Sequence, residues 1–233
     1  MRLRGYRGPA APVQLKGCHA RWQIEMYFVE GNIGSGKSTF LKRLSAEFKV
    51  VQEPVDEWTK LKNASSGRSI LEEFYEDPER NAYLFQSIAF RSRVKTITDI
   101  DATDVVIVER SIYTDRMVFA EVSREAGNIN EIEWNDYTEW FDFVVKHIGF
   151  RPKGFIYLRT GPEKSHERIV RRGRSGESNI SLEYLRRLHE RHDRWLTRDM
   201  TVPVLVLDVT EEFESNPEHL ERMIRKVRDF VRA

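Results

Sequence analysis

Residues 29 to 39 read VEGNIGSGKST, and this segment constrains the fold more than any other. Gly31, four further residues, then Gly36, Lys37 and Ser38 give the G-x-x-x-x-G-K-[ST] spacing of a phosphate-binding loop. Glycines let backbone N–H groups close around phosphate oxygens, the lysine adds a positive charge, and the serine hydroxyl can ligate Mg²⁺. The apolar run Tyr27-Phe28-Val29 precedes the loop, and Phe40, Leu41 and Leu44 follow it at helical spacing. Strand, loop and helix in that order are what the motif requires. The chain is therefore expected to bind a nucleoside triphosphate where the first strand meets the first helix.

At 233 residues one α/β domain accounts for the length. The 38 basic and 37 acidic residues nearly cancel, so no global field draws the chain to nucleic acid or membrane, and neither is expected as a partner. The single cysteine, Cys18, excludes an intrachain disulfide and a thiolate metal cluster. Residues 1–24 carry Arg2, Arg4, Arg7, Lys16 and Arg21, no acid and no apolar period, and read as a disordered extension before a domain spanning 25–233. A transit peptide is the other reading of that leader, which sets a cytoplasmic location against a mitochondrial one.

Along the domain, a helix over roughly Gly36 to Phe48 leads to a short strand, Val50-Val51-Gln52-Glu53-Pro54, stopped by proline. A parallel crossover of this length brings Glu53 to the sheet edge that holds the loop, so Glu53 faces the phosphate site. Asp77-Pro78 opens a long helix to about Ile100, with Ala82, Gln86, Ala89, Phe90, Arg93 and Ile97 on one face. Two polar groups in that stripe require polar partners, either within the protein or on a ligand. Val105 to Val108 reads as a central strand ending in Glu109-Arg110-Ser111. Glu109 is either an acid on the Mg²⁺ side or the partner of Arg110. The following helix places Ile112, Asp115, Phe119 and Val122 together, and Asp115 can pair with Arg93.

A helix over Glu131 to Ile148, a strand GFIYL at 154–158 and a helix from Pro162 follow. The last of these ends in Arg168, Arg171, Arg172, Gly173 and Arg174, which form either a solvated face or a mobile clamp over a triphosphate. A helix over Ser181 to Met200, a strand within 202–209 and a helix opened by Asn216-Pro217 complete the chain. The expected architecture is a phosphate-binding-loop kinase fold, with five parallel strands, helices on both faces and an arginine-rich lid.

Several segments together resemble the deoxynucleoside kinase family, in its deoxycytidine and deoxyguanosine kinase branch. They are EGNIGSGKST at 30–39, EPVDEW at 53–58, YEDPER at 75–80, FQSIAFRSR at 85–93, ERSIYTDR at 109–116, RRGR at 171–174 and LEYLRRLH at 182–189. The resemblance implies transfer of the γ-phosphate of ATP to a nucleoside 5′-hydroxyl, with Glu53 as general base and Lys37, Arg110, Arg168, Arg172 and Arg174 neutralising the phosphoryl group. ATP would lie on Gly31, Asn32, Ile33, Gly34, Ser35, Gly36, Lys37, Ser38 and Thr39, with Glu212 and Phe213 beside it. Ser38 and Glu109 would hold Mg²⁺. Tyr75 and Glu183 would hold the sugar 3′-hydroxyl, Trp58, Phe74, Ala89, Phe90 and Phe119 would wall the base, and Gln86 would bond its edge. Members that accept thymidine are apolar where Arg93 and Asp115 stand, so deoxycytidine and deoxypurines are expected over thymidine. The family also implies a homodimer through helices near Ser111–Glu125 and Glu131–Ile148.

Two rival readings predict different residues. A nucleoside monophosphate kinase such as a thymidylate kinase needs cations for an acceptor phosphate, where this chain has the acid Glu53. A nucleotide-hydrolysing switch that reads guanine expects an N-K-x-D segment, which is absent from the sequence.

Overall fold

The computed structural model describes residues 25–101, 105–148, 151–174 and 176–233. The basic segment at 1–24 lies outside them. The elements run β1 (Met26–Glu30), α1 (Lys37–Leu44), β2 (Lys49–Val51), α2 (Val55–Lys60), α3 (Ile70–Glu76), α4 (Pro78–Thr98) and β3 (Val106–Glu109). A continuous helical stretch follows, with α5 (Ile112–Thr114), a wide π turn over Asp115–Ala120 and α6 (Glu121–Glu125). Then come α7 (Glu131–Ile148), β4 (Pro152–Arg159), α8 (Pro162–Arg172), a 3₁₀ turn over Glu177–Asn179, α9 (Leu182–Arg194) with a π turn over Trp195–Asp199, β5 (Val204–Asp208) and α10 (Pro217–Arg232).

The five strands form one parallel sheet in the order β2-β3-β1-β4-β5, as expected. Alternation along the strands divides the core in two. Phe28, Val106, Val108, Phe155 and Tyr157 face the layer built from α4, α7 and α9. Tyr27, Val29, Ile107, Ile156 and Leu158 face α1 and α10. A sheet covered on both faces explains why β1 and β3 are apolar runs without polar alternation. The phosphate-binding loop leaves the carboxyl end of β1, the edge where open α/β sheets take ligands.

Local chemistry fixes the elements that carry the site. Ser69 and Glu72 form a reciprocal capping box at the start of α3, which carries Phe74 and Tyr75. Asp77 caps α4 with Pro78 in its first turn, and Ser111 Oγ accepts the Thr114 N–H at the start of α5. Two boundaries and one helix geometry differ from the sequence reading. α1 stops at Leu44, and β2 ends at Val51, so Glu53 stands on the turn beyond the strand. The helix after β3 passes through a π turn that starts at Asp115, a device common at functional sites.

Candidate active site

The loop at 31–36 has the backbone geometry that phosphate binding needs. Gly31 has φ +145°, and a Cβ there would stand 2.6 Å from the Leu158 carbonyl oxygen. Gly36, at φ +93°, caps α1, where a Cβ would stand 3.1 Å from the Phe213 ring. No side chain fits at the first of these positions without moving backbone. Lys37 Nζ donates to Asn32 O at 2.7 Å and Gly31 O at 3.1 Å. Burial and the Arg110 charge hold its ammonium down to about 7, against the pull of Glu109, Glu53 and Glu30.

Ser38 Oγ donates to Glu109 Oε1 at 2.8 Å, which joins the hydroxyl and the carboxylate expected on the metal side. A hydroxyl and a carboxylate are hard oxygen donors of the kind that Mg²⁺ takes in ones or twos, completing its shell with water and phosphate. The donor set fits that ion. Among the described residues no group of three or more His, Cys, Asp or Glu side chains is placed to hold a metal ion.

Beside the loop lies a cavity of about 400 Å³ that reaches from Lys37 and Ser38 to α3 and α4. Its ionic centre is a chain of four side chains. Arg93 Nη2 donates to Glu53 Oε1 at 2.5 Å, Arg93 Nε donates to both Asp115 oxygens at 2.9 and 2.8 Å, and Arg110 Nε stands 3.3 Å from Glu53 Oε1. Burial alone would raise the Glu53 carboxyl, but Arg93, Arg110 and Lys37 outweigh it and hold Glu53 down to about 2. Burial pushes Asp115 up to about 6, against the pull of Arg93.

Arg110 is the one non-glycine residue with positive φ among the described residues, at +61°. A left-handed conformation costs an L-residue about 1–2 kcal/mol. Here it aims the guanidinium at Gly31 O, 2.9 Å from Nη1, and lays it over the Phe119 ring at 4.7 Å.

The far wall is aromatic. Phe74 stacks on Phe85 at 4.7 Å, Trp58 meets Phe85 edge-on at 5.5 Å, and Trp58 Nε1 donates to Ser92 Oγ at 3.0 Å. Gln86 and Ala89 line the same cavity, and Gln86 Nε2 has no hydrogen-bond partner. Two expected residues are displaced from this cavity. Phe90 packs against Tyr137 and Phe141 at 5.8 and 6.2 Å, and Phe85 takes the wall position instead. Glu183 is 73% exposed and stands beside Arg186 on the outer face of α9, while its neighbour Tyr184 lines the cavity. Glu177 lines the cavity with Tyr75, where Glu183 does not. Neither Phe85 nor Glu177 was singled out in the sequence reading, although Phe85 opens the FQSIAFRSR segment and Glu177 lies in the polar loop after the arginines.

The lid arginines divide between two places. Arg172 Nη2 and Arg174 Nη1 both donate to the buried Glu177, the latter at 3.0 Å. Arg168 Nη2 donates to Val209 O at 2.8 Å, and its Nε stands 3.2 Å from Glu212 Oε1, which also takes Arg171 at 3.1 Å. A second cavity, of about 270 Å³, lies between Gly34, Gly36, Thr39 and Phe213, with Arg168, Arg171, Arg172 and Glu212 around it. It meets the first at the phosphate-binding loop.

A parallel sheet with this loop, and two cavities that meet at it with arginines around both, is the arrangement of a small-molecule phosphotransferase. Comparison with known proteins narrows the class. The model of the deoxynucleoside kinase family matches residues 27–232, and the chain belongs to that family. Deoxycytidine kinase of Mus musculus is 37% identical, over 90% of this chain and 92% of its own. Deoxycytidine kinase 1 of Xenopus laevis is 35% identical, over 90% and 91%. The mitochondrial deoxyguanosine kinase of Xenopus laevis is 36% identical, over 90% of each chain.

Proposed function

We propose that this chain transfers the γ-phosphate of ATP to the 5′-hydroxyl of a deoxynucleoside, with deoxycytidine and the deoxypurines preferred to thymidine. The observation that carries the reading is a carboxylate, Glu53, standing between Arg93 and Arg110 in a cavity that opens onto Lys37 and Ser38. The acceptor cavity is walled by aromatic rings that suit a base, whereas an acceptor phosphate would meet the Glu53 charge.

In this reading the 5′-hydroxyl donates a hydrogen bond to Glu53 while its oxygen attacks the γ-phosphorus. The new O–P bond forms as the bond to the β–γ bridging oxygen breaks, and the hydroxyl proton passes to Glu53. A carboxyl held near 2 is ionised at every physiological pH, so the acceptor is always present. It is a weak base, which suits a loose transition state in which the proton moves late. Lys37 and Arg110 meet the charge on the transferring group, and Arg172 and Arg174 reach it as the lid closes. Ser38 and Glu109 would hold Mg²⁺, which supplies charge neutralisation at the phosphate oxygens. Tyr75 and Glu177 face the sugar, and Gln86, with its unpartnered amide, faces the base.

Reaction with γ-labelled ATP, Mg²⁺ and deoxycytidine should place the label in a nucleoside 5′-monophosphate. Label released only as inorganic phosphate would support a hydrolytic switch instead.

Base preference follows from Asp115, which as a carboxylate can accept from an exocyclic amino group. Its carboxyl sits near 6, above its ordinary value, so it gains a proton as pH falls through 6 and becomes a poorer acceptor for the base. KM for deoxyadenosine is therefore expected to rise below pH 6, approaching about tenfold per pH unit, and to lose that dependence in Asp115→Asn. A flat profile in the parent enzyme would remove Asp115 as the acceptor.

A homodimer is supported by α7, where Ile132 is 81%, Trp140 58% and Phe143 50% exposed. Large apolar side chains clustered on one helix mark a covered surface. Trp140→Glu combined with Phe143→Glu should convert a dimer to a monomer in sedimentation equilibrium, and a monomeric parent protein would contradict the assignment. Among the described residues no helix is long and apolar enough to cross a membrane. A cytoplasmic location, or a mitochondrial one if residues 1–24 act as a transit peptide, is decided by fractionation of cells expressing the chain with and without those residues.

A further inference from the structure

Glu30 ends β1, opens the EGNIGSGKST segment and is wholly buried, yet it lines neither cavity. A carboxyl group removed from water must find hydrogen bonds to offset its desolvation. Glu30 finds the Ser111 backbone N–H, 2.9 Å from its Oε1.

That N–H belongs to the residue directly after Arg110, whose backbone is left-handed at φ +61°. A non-glycine residue stays in that region only where its surroundings over-determine it. Three consecutive residues at the exit of β1 supply the constraint. Arg110 N donates to Val29 O at 3.0 Å, Ser111 N donates to Glu30 Oε1 at 2.9 Å, and Arg110 Nη1 donates to Gly31 O at 2.9 Å. Two of these are backbone carbonyls that any residue would offer. The middle one is a side chain, so it alone depends on which amino acid stands at 30.

The same contact sets the entry to the next helix. Ser111 Oγ caps α5 through the Thr114 N–H, one residue before Asp115. Release of the Ser111 N–H would let the peptide between Arg110 and Ser111 rotate, which relieves the backbone at 110 and swings the guanidinium away from Glu53.

We infer that Glu30 is a positioning residue for Arg110, its side-chain oxygen holding the Ser111 N–H so that the strained Arg110 backbone keeps the guanidinium at the phosphoryl-transfer site. This rests on the reading of Arg110 as the group that meets the transferring phosphoryl. What the site needs from Glu30 is an acceptor at a fixed reach. A glutamine supplies the same reach without the charge, whereas an aspartate keeps the charge and withdraws the acceptor by one methylene.

The test is steady-state phosphorylation of deoxycytidine by Glu30→Gln, Glu30→Asp, Arg110→Ala and the Glu30→Asp/Arg110→Ala double variant. Rates are normalised to ATP-binding sites counted by equilibrium titration, so an unfolded fraction drops out. Glu30→Gln should keep kcat within about twofold of the parent, while Glu30→Asp loses about tenfold in kcat with KM for ATP changed by less than about threefold. In the Arg110→Ala background Glu30→Asp should cost nothing further, since a residue acting through Arg110 has nothing left to position. Equal losses in Glu30→Gln and Glu30→Asp would overturn the inference, as would a full additional loss in the double variant or no loss in Glu30→Asp. A near-normal kcat in Arg110→Ala would instead overturn the role of Arg110 itself, and would be visible without reference to Glu30.

Discussion

Glu53→Gln is expected to lower kcat about a thousandfold while leaving ATP affinity within a few-fold of the parent. The amide keeps the shape of the side chain and one acceptor oxygen, but it cannot take the hydroxyl proton. In the proposed reading ATP lies on the loop backbone, Lys37 and the second cavity, and Glu53 does not line that cavity. The loss therefore falls on the chemical step. Two secondary effects have known directions. Arg93 and Arg110 each lose a charged partner at Glu53 Oε1, so the variant should be less stable near neutral pH. Because Glu53 is held below its ordinary value in the folded chain, it stabilises the fold above its ordinary pKa, and that contribution is lost as pH falls toward 2. A Glu53→Gln enzyme with near-normal turnover would remove Glu53 as the proton acceptor.

The second large effect concerns the pair behind it. Asp115→Ala alone leaves Arg93 buried with Glu53 as its remaining anionic partner, and breaking a buried pair from one side costs about 3–5 kcal/mol. Arg93→Met with Asp115→Ala removes both charges together, so the double variant should be more stable than the single one and can exceed the parent. Arg93 also orients Glu53, and kcat for every nucleoside is expected to fall. The informative quantity is the ratio of kcat/KM for thymidine to that for deoxycytidine, from which that common loss cancels. It should rise about a hundredfold or more, because a thymine carbonyl no longer faces a carboxylate that can only accept, and deoxycytidine loses its acceptor. An unchanged ratio would show that the pair is structural only.

The phosphate-binding loop and the sheet were legible in the sequence for a simple reason: the interactions that define them are local or periodic. Gly31, Gly36, Lys37 and Ser38 carry their spacing with them, and β1 and β3 are apolar runs because both faces of the sheet are covered. The pairing of Arg93 with Asp115 was legible too, since each is a polar group in an apolar stripe and each had to be met. Residues whose place depends on how separate elements pack were not. Phe85 and Phe90 lie five positions apart on α4, about 140° around the axis, and only the stacking of α3 through Phe74 decides which edge of the stripe meets the cavity. Glu177 and Glu183 are six positions apart in sequence. The turn after α8 sends one between Arg172 and Arg174, while the other stands on the outer face of α9 beside Arg186. The strain at Arg110 and the buried contact of Glu30 with Ser111 depend on β1 and β3 lying side by side, a pairing that no segment shows by itself.

The central claim is that the acceptor is the 5′-hydroxyl of an amino-bearing deoxynucleoside. Its most direct test is kcat/KM with ATP and Mg²⁺ for deoxycytidine, deoxyadenosine, deoxyguanosine, thymidine and thymidine monophosphate, measured side by side. Turnover of deoxycytidine or the deoxypurines, with little on thymidine and none on the monophosphate, is the predicted result. Turnover of the monophosphate alone would contradict it, and would mean that Glu53 and the lid arginines serve a phosphate acceptor.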